Sequence, residues 1–413
     1  MGFLISILMS SLIFTKINKI SMDNINYKVK ILFLASWYPS EKNPVSGIFI
    51  QRHAEAVSNY CDVAVLYIDV EKDLEKSKFN LNVIKGVKTY SLIIPVDFSS
   101  GVITRNLKNH ICNNFFIRAY KAYRKILQDF GNPDVIHVNV MFTDMTDMGL
   151  FAIILRILHN RRYVVTEHST EFIEPIYSKI KNLKVKLIIS LSSKILPVST
   201  LLKNSLKAIK SGSFEVVPNV VDTNFFIPME KKNKFQKKKI LHVSLLDDRQ
   251  KNVSGLIKVI LELKKSRDDF ELHIVGTGKD KSFLESLCSD ENKRDNIIHF
   301  HGTLRINELL KAYQEADLFV MNSNFETFGV VIIEALSCGV PVVSTQCGGP
   351  SDIITPKTGI FVEPGNFRQL LEGINIMLDR LDEFDPVVLH EYVHQNFGHT
   401  AIGKRLDSIY QNI

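Results

Sequence analysis

A chain of 413 residues is long enough for two or three domains, each with its own core. A hydrophobic content of 45% and a charged content of 23% exclude a disordered or fibrous chain and describe an ordinary soluble globular protein. The net charge of +7 favours an anionic membrane surface or a phosphorylated ligand, or simply a solvated surface; no basic run is interleaved with aromatics, so nucleic acid is not an expected partner.

The first residues stand apart. Gly2 to Phe14 is apolar but too short to span a bilayer as a helix, and it lacks the basic flank and cleavage site of a signal peptide. Residues 1–21 therefore read as a shallow anchor or as a mis-assigned start ahead of Met22. Cysteines 61, 112, 288, 338 and 347 are scattered and odd in number. That argues against a disulfide framework or a zinc site, and for a reducing compartment.

Val29 to Ser36 is an apolar run typical of the first strand of a parallel sheet. A loop to Gly47 follows, then a helix with Ile50, His53, Ala54 and Val57 on one face. Loops at the carboxyl ends of strands are where open α/β sheets bind ligands, and a glycine there lets backbone approach closely, although Gly47 also reads as a plain turn residue. Further strands are expected at Asp62 to Ile68, Val87 to Ile94, Asp134 to Asn139, Arg162 to His168, Lys194 to Ser199 and Phe214 to Pro218. Helical patterns at Asn113 to Asp129 and Met148 to Leu158 fall between them, which is the rhythm of a doubly wound parallel sheet. His168 closes one of these strands at its carboxyl end; His137 reads as structural.

The lysine-rich stretch Pro228 to Lys239 reads as a solvated linker edge. A second α/β rhythm then begins, with strands at Lys239 to Leu245, Phe270 to Gly278 and Asn296 to Leu304. Lys251 stands at the start of a helix carrying Val253, Leu256, Ile257, Ile260 and Leu261, where a cation opposes the dipole unless an anion sits between them. Asp317 to Asn322 is the next strand, a loop with Glu326 follows, and a helix from Gly329 to Cys338 carries Glu334 in its second turn. Two carboxylates beside a helix N-terminus suit a ligand with both phosphate and vicinal hydroxyls, as in a nucleotide sugar; solvated loop and helix positions are the plain alternative. The tail from Phe384 to Ile413 is helical in pattern.

The run ETFGVVIIEALSCGVPVVSTQCGGPSDII, from Glu326 to Ile354, resembles the signature of the retaining glycosyltransferases of family 4, with its E-x7-E pair. The resemblance implies the GT-B fold: an α/β protein of two facing Rossmann-like, doubly wound domains, with a C-terminal helix crossing back to the first. On that reading 22–226 form the acceptor-binding domain, 227–390 the nucleotide-sugar-binding domain and 391–413 the returning helix.

The resemblance also implies roles. Glu334 would take the ribose hydroxyls, Lys251 the diphosphate and Glu326 the sugar hydroxyls. The N–H groups around Phe328 and Gly329 would lie beside sugar and phosphate, and the backbone after Gly302 beside the nucleobase. Gly47 and His168 would lie near the reacting centre, so His168 and Glu326 are the expected catalytic-site residues. The family's usual arginine after the first strand of this domain is Leu245 here, with Arg249 as its substitute, and Val220 stands where the family usually has glycine.

The implied activity is a retaining, metal-independent transfer from a nucleotide-diphosphate sugar to a glycan or lipid-linked acceptor, in polysaccharide or surface-glycan synthesis. No cofactor and no metal are expected, because a lysine and a helix dipole stabilise the departing diphosphate. Asp247-Asp248 and the pair Asp144 and Asp147 read as loop polar groups rather than metal ligands. The expected place is cytoplasmic, peripheral on the inner face of the cell membrane. The competing readings are a GT-B nucleotide-sugar epimerase, a phosphorylase-like enzyme and a non-catalytic sugar-nucleotide-binding protein.

Overall fold

The computed structural model describes residues 28–413 except 42, 44, 73, 97–104, 145, 174–178, 231–236 and 289–295. The apolar N-terminal stretch and the middle of the lysine-rich linker lie outside the described residues.

The chain forms two sheets. The first contains β1 (Lys30–Ala35), β2 (Asp62–Lys72), β3 (Lys78–Ile84), β4 (Val87–Val96), β5 (Val135–Asn139), β6 (Arg162–Glu167) and β7 (Lys194–Pro197) in the order β3-β4-β2-β1-β5-β6-β7. The second contains β8 (Lys238–Val243), β9 (Phe270–Val275), β10 (Ile298–Gly302), β11 (Leu318–Met321), β12 (Val342–Thr345) and β13 (Gly359–Val362) in the order β10-β9-β8-β11-β12-β13. Pairing is parallel throughout both sheets, apart from β3, which runs antiparallel on the edge beside β4. Central strands such as KILFLA and LFVM are apolar along their length because helices cover both faces.

The helices used below are α1 (Ile48–Ser58), α2 (Arg105–Asp129), α3 (Met148–His159), α4 (Lys179–Leu191), α5 (Thr200–Ile209), α6 (Val253–Lys264), α7 (Ile306–Glu315), α8 (Val330–Ser337), α9 (Phe367–Asp379), α10 (Pro386–Phe397) and α11 (His399–Gln411). Helix α10 stays with the second domain, where Pro386 closes on Gly339 at the end of α8. The chain passes back at Gly398, beside Val221, whose N–H donates to the Phe397 carbonyl at 3.0 Å. Helix α11 then packs on α1 of the first domain, with Gly403 against the Ala56 carbonyl.

Two sequence expectations change. Phe214 to Pro218 is an extended segment bonded along one side of β7, with a single bridge at Phe214, so it adds no strand to the sheet. The hairpin β3–β4 was not expected, although its turn carries the signal: Lys85 at φ 45° and Gly86 at φ 83° are left-handed at both central positions of a two-residue loop. Val220 is fully buried and is not among the residues with positive φ, so the turn expected to need glycine is built from ordinary backbone. Cys61, Cys288, Cys338 and Cys347 are free, buried thiols.

Candidate functional site

In the first domain the carboxyl ends of β1, β5 and β6 converge. The Ser36 N–H donates to the Asn139 carbonyl at 3.2 Å, and the Val140 N–H donates to the Thr166 carbonyl at 2.9 Å. Gly47 begins α1 with φ 66°, and a Cβ there would lie 2.4 Å from the Trp37 carbonyl carbon. The close approach expected at Gly47 is therefore to the chain's own backbone. Only glycine fits it.

His168 follows β6 with its ring 4.4 Å from Phe49 and 5.7 Å from His53, both on α1. Both of its ring nitrogens are buried without a hydrogen-bond partner, as are Nδ1 of His53 and Oδ1 of Asn219. Buried polar atoms in native proteins find partners, so this group is poised for a polar ligand. Burial drives the imidazole of His168 well below its usual pKa, with His53 and His137 adding to the effect, so the ring is neutral near pH 7. His137 is structural, as expected: it bonds Tyr410 Oη at 2.5 Å and Thr166 Oγ1 at 2.7 Å.

Glu167, which the sequence did not single out, braces the His168 loop. Its carboxylate accepts from the backbone N–H groups of Met141 at 3.0 Å and of His168 and Ser169 at 2.9 Å. Burial pushes its pKa up to about 7 despite these three donors.

In the second domain two loops knit together. The loop after β8 contains a four-residue helical turn, Asp248–Lys251, closed by Asn252 at φ 48° before α6 begins. Asn324, in the loop after β11, donates from its backbone N–H to the Gln250 carbonyl at 2.7 Å and from Nδ2 to the Arg249 carbonyl at 2.8 Å. This brings Lys251 Nζ onto Glu326 Oε1, which also accepts from Ser323 Oγ at 3.2 Å. Glu326 is held through its backbone too: its N–H donates to the Cys347 carbonyl at 3.1 Å and its carbonyl accepts from the Gly349 N–H at 2.9 Å. A Cβ on Gly349 would meet the Phe328 nitrogen at 2.4 Å, which explains the second glycine of the pair after β12.

Phe328 buries its ring against Phe397, and Gly329, at φ 97°, starts α8. The first N–H groups of a helix point outward without intrahelical partners. Gly302 ends β10 at φ 65°, with open space where a Cβ would stand. Leu245 is 70% exposed, and Arg249 lies on the helical turn beside Lys251.

Glu334 joins the two domains. Its Oε1 accepts from Arg52 Nη1 at 2.8 Å and its Oε2 from Tyr313 Oη at 3.1 Å. Arg52 comes from α1 of the first domain, lies over the Phe226 ring and is buried with its partner. Burial and Glu334 together hold the Tyr313 phenol far above its usual pKa, so it stays protonated and donates. A second link joins α5 to the loop after β12, where the Thr200 N–H donates to Asp352 Oδ2 at 2.5 Å.

The structure thus groups Lys251, Glu326, Phe328 and Gly329, with Arg249 beside them. It groups Gly47 and His168 separately, in the first domain, and ties Glu334 to that domain through Arg52. Arg52, Tyr313, Glu167 and His53 escaped sequence reasoning. An arginine on an amphipathic helix reads as solvated, and nothing local announces a partner 282 positions away. Of the acidic loop residues, Asp147 caps α3 and pairs with Lys184, Asp247 pairs with Lys279, and Asp248 accepts from the Ser254 N–H at the start of α6.

Residues 226–383 match the family described as Glycosyl transferases group 1, and residues 91–225 match Glycosyltransferase Family 4. The chain belongs to this family of glycosyltransferases, and its fold is GT-B. Among its relatives is a GDP-mannose-dependent monoacylated alpha-(1-6)-phosphatidylinositol monomannoside mannosyltransferase of Corynebacterium glutamicum, 29% identical over 48% of this chain and 56% of that one. The match thus spans little more than half of that relative's length. A sucrose-phosphate synthase from Thermosynechococcus elongatus shares the fold at a TM-score of 0.71 and 18% identity, covering 93% of this chain and 98% of the other. The Anabaena HepE protein in complex with UDP and glucose does so at a TM-score of 0.64 and 16% identity, covering 93% and 100%.

Proposed function

We propose that the protein is a retaining glycosyltransferase that moves a sugar from a nucleoside-diphosphate sugar to a glycan or lipid-linked acceptor, without a metal ion. The observation that carries this reading is the Lys251–Glu326 pair beside the start of α8. A cation and a helix N-terminus hold diphosphate, and a carboxylate next to them accepts from sugar hydroxyls. The relative from Corynebacterium glutamicum, named for a GDP-sugar donor and a lipid-linked acceptor, and the UDP and glucose bound by the Anabaena protein support the same classes of ligand.

In this account Lys251 leaves Glu326 for the diphosphate when donor arrives, and Glu326 turns to the sugar hydroxyls. Arg249 adds charge from the neighbouring turn, and the nucleobase lies beside Gly302. The ribose diol takes the lone-pair positions of Glu334 that Arg52 and Tyr313 leave, since a carboxylate has roughly four. His168, whose neutral ring packs on Phe49, hydrogen-bonds the transferred sugar or the acceptor near Gly47.

The anomeric C–O bond breaks and its electron pair leaves on the nucleoside diphosphate, whose charge Lys251 and the α8 dipole stabilise. The acceptor oxygen bonds the same face of the sugar, and its proton passes to the departing phosphate oxygen.

The assigned place is the cytoplasmic face of the cell membrane, in polysaccharide or surface-glycan synthesis, supported by the charge of +7. Among the described residues no helix is long and apolar enough to cross a membrane.

The test is incubation with UDP-, GDP- and ADP-sugars in chelator, following release of nucleoside diphosphate. Slow, donor-selective hydrolysis, with the released sugar first appearing in the anomeric form of the donor, is expected. Interconversion of two nucleotide sugars would instead identify an epimerase. Binding without turnover would identify a non-catalytic protein.

A further inference from the structure

Glu271 and His273 lie two apart on β9, and His299 and His301 two apart on β10, so all four project from one face of the sheet. The parallel register sets His299 directly beside His273. The rings stack, with His273 centred 4.9 Å from His299 and 5.1 Å from His301. This is the edge of the second sheet, on the face that carries Leu241 and Val275 and opens to a groove under α7. Nothing in the proposed transfer reaction uses these side chains.

Three imidazoles stacked at an edge have no packing reason to be histidine; apolar residues would fill the same face at less cost in desolvation. Two of them, His273 and His299, converge on one carboxylate. Glu271 Oε1 lies 2.8 Å from His273 Nε2 and Oε2 lies 3.6 Å from His299 Nε2. The second nitrogen is buried and has no hydrogen-bond partner. Ligand atoms at about 2.0–2.1 Å around a tetrahedral ion stand roughly 3.3 Å apart, a value between these two spacings. Among the described residues, Glu271, His273 and His299 form the one group of such donors near enough to share an ion.

We infer that this cluster is a divalent transition-metal site of the zinc type, with Glu271, His273 and His299 as ligands and His301 as the residue that orients His273. His273 Nδ1 lies 2.8 Å from His301 Nε2. When Nε2 of His273 ligates the ion, its Nδ1–H donates to His301, the outer-shell bond that fixes ring and tautomer. Lys239 on β8, beside Glu271 in register, is turned to Glu315 at 3.0 Å, which leaves the carboxylate to the histidines. Two imidazoles and a carboxylate select zinc-like ions over magnesium or calcium, and three protein ligands leave a fourth position for water. The site contains no cysteine, so the scattered cysteines gave no hint of it.

The experiment titrates Zn2+ alone into the chelator-stripped full chain by calorimetry, with Mg2+ as comparison. One Zn2+ per chain is expected, with no Mg2+ binding at the same concentrations. His301→Gln should weaken Zn2+ by about 10–100-fold, the usual cost of an outer-shell change, and His299→Gln and Glu271→Gln, which each remove a ligand, by more. Circular dichroism checks that each variant is folded, and nucleotide binding by the same preparations shows that the donor site is intact. Zn2+ binding that is weak, exceeds one ion per chain, or is unchanged in His299→Gln and Glu271→Gln would overturn the assignment and leave the proposed transfer reaction untouched.

Discussion

Lys251 is the residue on which the donor account turns, because it is paired with Glu326 now and is proposed to exchange that partner for diphosphate. Lys251→Ala is expected to lower kcat by about 10²–10³, the usual loss for one donor to a developing negative charge. Steady-state kinetics on the selected donor measure this directly. Arg52 makes a different prediction. Its removal leaves Glu334 buried and short of its cation, so Arg52→Met should cost about 3–5 kcal/mol of stability in urea unfolding, while Arg52→Met with Glu334→Leu should recover most of it. Failure of the double variant to recover would mean that Arg52 acts elsewhere. Glu326, Phe328, Gly329 and Glu334 were legible as candidate site residues at this scale because they sit in one continuous run. Arg52 and Tyr313 were not, since they reach Glu334 only after two domains have folded against each other.

At the scale of elements, the strands were readable because buried parallel strands are continuous apolar runs. Helices such as α6 showed their apolar face directly. What stayed hidden were elements without that pattern. Strand β3 is mostly exposed along its length, and β13 is a four-residue strand behind a turn. Lys251 reads from sequence as the start of α6, whereas it closes a separate helical turn, Asp248–Lys251, which Asn252 at φ 48° divides from α6. The docking of α11 on α1 depends on a missing side chain. A Cβ on Gly403 would stand 2.2 Å from the Ala56 carbonyl oxygen, backbone against backbone. Gly403→Ala should therefore force the two helices apart and cost about 1–3 kcal/mol, read as a lowered thermal midpoint. An unchanged midpoint would show that α11 does not hold the first domain.

Across the whole molecule, the buried imidazoles set the response to acid. His53 and His242 are depressed from 6.5 to about 4 by burial, and His137 and His168 lie well below 6.5 for the same reason. A group whose folded pKa is depressed contributes stability that is present above its unfolded value and lost as pH falls toward the folded one. The loss therefore runs from about pH 6.5 down to 4. Glu167 opposes it: with its pKa raised from 4.5 to about 7, its contribution is present at low pH and lost as pH rises through 7. One carboxylate against four imidazoles leaves a net loss, so the urea midpoint should be lower near pH 5 than near pH 7.5. A higher midpoint at the acid value would contradict the burial of these histidines.

The two-domain architecture was implied by the family signature and two successive α/β rhythms. How the domains close was not, because their contacts join side chains and loops far apart in sequence. The central claim is that the second domain holds the donor through Lys251, and one measurement addresses it most directly: calorimetric titration of UDP- and GDP-sugars, without metal, into wild type and Lys251→Ala. Binding of one donor by wild type at a 1:1 ratio, weakened by at least ~10-fold in a Lys251→Ala variant that remains folded, is the predicted result. Equal affinity in the two proteins, or no donor bound by wild type, would contradict it.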